Sequence, residues 1–179
     1  MTNTRRWLIA INVLGGVAVL GSYAEGFVNH PDIVGLAWGD VPEAWRGLYS
    51  LAMAPAALGY FPMTYFLLFR VDLARPLWLG LRTGTILGFL YLVLLVFSAL
   101  WFPLTLQLIE QPDPTLWSAI HALLLAVGLA SCGLVACTIA LRPASGGIGW
   151  VLAVAGSLFL TFQTGVLDAL VWPAYFPHP

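Results

Sequence analysis

Residues 77–102 read LWLGLRTGTILGFLYLVLLVFSALWF, and the interpretation of this stretch decides the fold. Arg82 is its only charged residue. The run exceeds the roughly 20 apolar residues that cross a hydrocarbon core about 30 Å thick. Buried strands are far shorter, about four to eight residues, so the stretch is expected to be a membrane-spanning helix.

Four further apolar runs flank it, at 7–24, 47–69, 115–141 and 148–172, each bounded by proline, glycine or charge. Together the five nearly exhaust the 179 residues and leave no length for a separate soluble catalytic domain. The expected fold class is therefore all-α, a single polytopic domain of five transmembrane helices. Composition agrees: the chain is 60% hydrophobic and 8% charged, with mean hydropathy +0.91, against about 25% charged in ordinary soluble domains. A water-soluble fold is excluded on this ground. The lipid bilayer is the expected partner, and no nucleic acid is, since the net charge is −1 and lysine is absent. The first run resembles a signal peptide, with small residues Ser22 and Ala24 at a cleavage-like position, but is expected to stay as a retained first helix.

Arginine placement orients the bundle, because cytoplasmic loops carry the excess of positive charge. Arg5, Arg6, Arg70, Arg75, Arg82 and Arg142 fall on one side, and Arg46 alone on the other. The N-terminus is thus expected in the cytoplasm and the C-terminus outside, as in an inner-membrane protein of a bacterium. Tryptophan prefers the membrane–water interface and gives a concordant reading. Trp7, Trp78 and Trp150 fall at the inner ends, and Trp38, Trp45, Trp101, Trp117 and Trp172 at or near the outer ends.

Small residues suggest how the helices pack. Gly80, Gly84 and Gly88 recur every four residues and predict a bare stripe where another backbone approaches closely. Ala52 and Ala56 in the second span, and Gly149, Ala153 and Ser157 in the fifth, are surfaces suited to such contacts. Pro55 and Pro62 remove backbone donors and are expected to bend or loosen the second span. Cys132 and Cys137 share one apolar run and are read as small packing residues rather than a disulfide or zinc pair.

Ionisable side chains within spans are costly, by about 2.5–3.5 kcal/mol at the centre on insertion scales, and usually face the bundle interior or water. Asp168 in span five, His121 in span four and Glu25 at the end of span one are the candidates. Thr161, Thr164, Asp168 and Trp172 follow helical spacing and form a polar stripe; Trp117 and His121 share a face of span four. These groups lie in the outer half, where Arg46, Tyr49 and Trp101 also arrive and where the 25–46 loop carries Trp38 and Trp45. Two readings are open: the polar groups tie helices together, or they line a ligand site of acidic, imidazole and indole groups around an apolar cleft.

Catalytic signatures are missing. There is no phosphate-cradling loop, HExxH or CxxC, and no histidine pair across two helices for a bis-imidazole haem. His30 and His178 fall in loop and tail. A binding or subunit role is expected ahead of an enzymatic one.

With the spans and tryptophans in place, the chain resembles the tryptophan-rich sensory protein or translocator protein family. The points of contact are the five-helix layout, a first loop bearing Trp38, Pro42 and Trp45, and the segment Ala99-Leu100-Trp101-Phe102-Pro103. The resemblance implies a pocket under the first loop that binds a tetrapyrrole or a sterol-like molecule. A more distant similarity, to the emopamil-binding sterol isomerases, implies intramembrane acids and a histidine as catalysts. The leading expectation is a binding protein whose ligand sits among Glu25, Trp38, Trp45, Arg46, Tyr49, Trp101, His121 and Asp168. The alternative is a noncatalytic subunit of a larger membrane complex, or a homo-oligomer, that holds helices, a pigment such as a carotenoid, or lipid.

Overall fold

The computed structural model describes residues 2–144 and 146–177; His178 lies outside them. Its long elements are helices α1 (Asn3–Asn29), α2 (Glu43–Phe69), α3 (Thr83–Glu110), α4 (Pro114–Ala140) and α5 (Ile148–Thr161). From Phe162 to Val171 the chain winds as a π-helix, and it closes with a single turn, α6 (Trp172–Tyr175). Treated as one rod, Ile148–Tyr175 is the fifth helix long and apolar enough to cross a membrane, beside α1, α2, α3 and α4.

Local chemistry sets the helix starts. The Thr2 hydroxyl accepts from Arg5 N–H at the head of α1, and the Asp113 carboxylate accepts from Thr115 N–H at 2.7 Å ahead of Pro114. Side-chain acceptors of this kind satisfy donors that have no partner within the helix, and proline fits the first turn because it has no N–H to lose. The helix α2 continues through Pro55 and Pro62, and α3 through Pro103.

The third span is displaced from its sequence-based position. Helix α3 begins at Thr83 and runs past Pro103 to Glu110. Residues 77–82 form a tight turn, with Leu77 N–H donating to Leu81 O at 2.9 Å and Leu79 and Gly80 at φ 53° and 72°. Hydropathy does not separate an apolar turn from an apolar helix, so the run had looked continuous. As a result Gly80 is no part of a helical stripe, and nothing lies within 4 Å of where its Cβ would sit.

Helix α1 packs on α3, α3 on α4, α4 on α5 and the π segment, and α5 on α2. Helices α1 and α2 are joined by the Tyr60 hydroxyl, which donates to the Asn12 side-chain carbonyl, and by Arg5 Nε, which donates to Leu68 O. The backbones come closest where α2 meets α5: a Cβ on Gly156 would collide with the Gly59 carbonyl and lie 2.8 Å from Gly59 Cα. Gly128 of α4 meets Gly165 of the π segment, where a Cβ would lie 3.0 Å from Gly165 Cα. Gly84 faces Thr4 and the Leu73 carbonyl, and Gly88 reaches Leu8 at ordinary distance. Ala56, Ala153 and Ser157 are buried, whereas Gly149 is exposed and has nothing within 4 Å.

The core runs through Met63, Leu67, Leu87, Tyr91, Ile120 and Leu134, all essentially inaccessible. The exterior is equally apolar, with Leu20 73%, Leu51 70%, Phe89 68% and Leu129 73% exposed. Soluble monomers rarely show contiguous apolar surface on this scale.

Candidate functional site

The first loop is anchored over the end of the bundle opposite most of the arginines. Its 3-10 turn, Val34–Trp38, presents the Ala37 carbonyl to the Trp172 indole N–H at 2.8 Å, and Asp40 N–H donates to Tyr175 O at 2.8 Å. Gly39 lies against Phe176 with φ 55°, a conformation and a spacing that both exclude a side chain. Arg46 clasps the loop from α2: its Nε donates to Val41 O at 2.9 Å, and its guanidinium stands 6.0 Å from the Trp38 ring. Trp38 in turn meets Tyr49 edge-on at 5.9 Å.

Below this clasp lies a continuous aromatic cluster. Trp172 contacts Trp101, Trp117 and Phe176, with centroids 5.7, 5.9 and 4.6 Å away. Tyr23 stacks on Phe102 at 4.8 Å and touches Trp101 at 6.0 Å. His121 joins through Trp117, 6.0 Å away. Helices α1, α3, α4 and α6 therefore contribute rings to one layer, although the residues concerned are scattered from position 23 to 176.

The π segment sets the polar part of the site. Trp172 N–H reaches back five residues to Leu167 O, which also accepts from the Tyr49 hydroxyl at 2.7 Å. Winding with this longer repeat brings residues five apart onto one side. Gln163 Nε2 donates to Asp168 Oδ1 at 2.8 Å, a pair that α-winding at 3.6 residues per turn would set about 140° apart. The Asp168 carboxylate also lies within electrostatic reach of the Tyr23 and Tyr49 hydroxyls. One turn deeper, Thr164 donates to the Ser131 hydroxyl at 2.9 Å and ties the π segment to α4.

Three buried polar atoms in this region have no hydrogen-bond partner among the described residues: Trp101 Nε1, Thr161 Oγ1 and Gln163 Oε1. Buried polar groups are paired in the great majority of cases, and each unpaired one costs about 1–3 kcal/mol. Under the first loop, a groove of about 510 Å³ is bordered by Gly39, Asp40, Arg46, Leu108 and Phe176.

The structure thus brings Trp38, Arg46, Tyr49, Trp101, His121 and Asp168 to one end of the bundle, and leaves two residues outside. Trp45 is 48% exposed and makes no ring contact with the layer among the described residues. Glu25 is exposed at the end of α1, where it accepts from Asn29 and lies 3.6 Å from His30, whose other ring nitrogen is 3.3 Å from Glu110. Its helical phase turns it from the bundle interior, since on α1 it is Gly26 that packs against Phe102. Among the described residues no hydrogen bond or ion pair joins Asp168 to His121, so an acid–base pair is not assembled. No group of three or more His, Cys, Asp or Glu suited to a metal ion occurs among them either.

Sequence reasoning missed Gln163, Tyr23 and Phe176. Gln163 carried a readable signal, a carboxamide inside an apolar span, but it lies off the stripe of Thr161, Thr164, Asp168 and Trp172 drawn at helical spacing. Tyr23 and Phe176 gave none, since aromatic residues are ordinary in such helices. No protein-family model, no curated protein and no solved structure matches this chain.

Proposed function

We infer that the protein is an integral membrane binding protein whose ligand, largely apolar with one polar end, is held in the half of the bundle beneath the first loop. The observation that carries this reading is the set of unpartnered buried polar atoms, above all Gln163 Oε1 and Trp101 Nε1, set beside a multi-helix aromatic layer. Rings supply apolar contact area of broad shape tolerance, and the acceptor and donor fix one end of the guest. A flat polycyclic or tetrapyrrole molecule has this character, in keeping with the resemblance to the translocator protein family. Five long apolar helices with an apolar exterior support membrane residence. The bias of arginine toward one end favours a cytoplasmic N-terminus.

A noncatalytic subunit of a larger membrane complex is the second reading. Helix α1 favours it: only Leu8 and Gly26 are buried along its length, and Gly16 and Gly21 have nothing within 4 Å. That open face is suited to a partner helix.

Quenching of tryptophan fluorescence by protoporphyrin IX in mild detergent tests the first reading. Saturable quenching is expected, and Asp168→Asn, which changes the charge beside Gln163, should alter it severalfold with the melting temperature nearly unchanged. Absence of quenching by this probe and by a fluorescent sterol, together with further polypeptides retained through gentle purification, would favour the subunit reading. Equal losses of stability and binding in Asp168→Asn would show that the residue only ties helices.

A further inference from the structure

We propose that the arginine-rich end of the bundle holds the headgroup of an anionic phospholipid, in the groove between the end of α2 and the α4–α5 connection. The groove measures about 470 Å³ and is bordered by Tyr65, Arg70, Pro143, Gly146, Gly147 and Trp150. It lies at the opposite end from the aromatic layer. The proposal rests on membrane insertion of the bundle but not on the ligand reading above.

One guanidinium borders the groove and a second is held beside it against a lining residue. Arg70, the residue that ends α2, sits 5.6 Å from the Tyr65 ring centroid, and Arg142, next to Pro143, sits 4.9 Å over Trp150. The Trp150 indole is itself fixed by a 2.9 Å hydrogen bond to Thr138 O. Stacking on an aromatic face restrains a guanidinium while leaving its N–H edge available for phosphate. Neither side chain makes a hydrogen bond or an ion pair among the described residues. Arg5, by contrast, spends its Nε on Leu68 O at 2.7 Å.

The backbone adds to the same field. Helix α5 starts after Gly147 with no capping side chain, and Ile148 and Gly149 border the groove. Helix N-termini present unsatisfied N–H groups and partial positive charge, and the lack of side chains on Gly146 and Gly147 lets a phosphate approach closely. Among the described residues no acidic side chain borders the groove. Asp72, the nearest acid in sequence, accepts from Ala74 N–H at 2.9 Å and borders a separate groove with Arg5 and Arg82.

Charge complementarity therefore selects an anion, and the surroundings select a lipid. Tyr65, Phe69 and Ile148 beside the groove are 52%, 45% and 74% exposed, a surface for the upper acyl chain beneath a headgroup. Basic pockets between spans on the cytoplasmic side are the usual form of such sites.

Native mass spectrometry of the full chain tests this, after a carbonate wash has confirmed that it stays in the membrane fraction; loss in that wash would refute insertion itself. The protein in mild detergent is offered equal amounts of phosphatidylglycerol and phosphatidylcholine. Wild type is expected to retain phosphatidylglycerol preferentially, and Arg70→Gln with Arg142→Gln to lose about thirtyfold of that preference, as removal of two charges near an anionic headgroup predicts. Arg70→Lys with Arg142→Lys should keep most of it, and Arg6→Gln all of it. If the double Gln variant is not recovered folded, Arg142→Gln alone is read, with a severalfold loss expected. An unchanged preference in the Gln variants, or an equal loss in Arg6→Gln, would overturn the site. Displacement of phosphatidylglycerol by millimolar inorganic phosphate would overturn the lipid assignment and leave a free-phosphate site.

Discussion

Gly156→Ala probes the tightest crossing in the bundle. The added methyl would sit 2.8 Å from both the Cα and the carbonyl carbon of Gly59, and closer still to its oxygen. The oxygen contact is the tightest and sets the displacement, so α2 and α5 must separate by roughly 1 Å. A gap of that size forfeits about a quarter to a half of the dispersion attraction across the affected contacts, and overpacking of a tight interface costs about 1–3 kcal/mol. With about 2 kcal/mol lost, a chain of this length should melt roughly 4–8 °C lower. The assay is thermal unfolding followed by intrinsic fluorescence in one detergent, with Gly16→Ala as the paired control. Gly16 has nothing within 4 Å, and alanine gains roughly 0.5–1 kcal/mol over glycine in a helix interior, so the control should melt at the wild-type temperature or slightly above. Wild-type melting of Gly156→Ala would refute the close-packing argument for α2 and α5.

Three further outcomes are expected. Gly84→Leu should lower the melting temperature more than Gly88→Leu, because a Cβ at Gly84 would lie 2.5 Å from Thr4 Cγ2 while at Gly88 the nearest atom is 3.8 Å away; the reverse order would contradict the α1–α3 packing. Tyr49→Phe removes the 2.7 Å hydrogen bond to Leu167 O and should cost about 1 kcal/mol, read as a drop of roughly 2–4 °C. A periplasmic reporter is expected to be active when fused after Pro177 and silent after Arg75, as the arginine bias requires; activity after Arg75 would invert the topology.

Much of the architecture was legible without coordinates because it depends on sums along the chain. Each of the five runs is apolar enough to require burial in something other than water, whatever its neighbours, and helix is the form that satisfies its own backbone there. Arginine and tryptophan placement is likewise a property of position near span ends. The limits of the third helix were not legible: Trp78, Leu79 and Gly80 are as apolar as a helix and form a turn.

The site divides along the same line. Sequence alone determined that Asp168, His121, Tyr49 and Trp101 would reach one end of the bundle, since depth along a helix is set by a fixed rise per residue. Which of them meet depends on rotation about each axis, and that was decided by tertiary packing. The π winding at Phe162–Val171 changes the phase of every side chain after Thr161 and pairs Asp168 with Gln163. The crossings of Gly59 with Gly156 and Gly128 with Gly165 belong to the same class. A glycine shows its use only when a second backbone arrives opposite it, and the sequence of one helix contains no record of which other helix that will be.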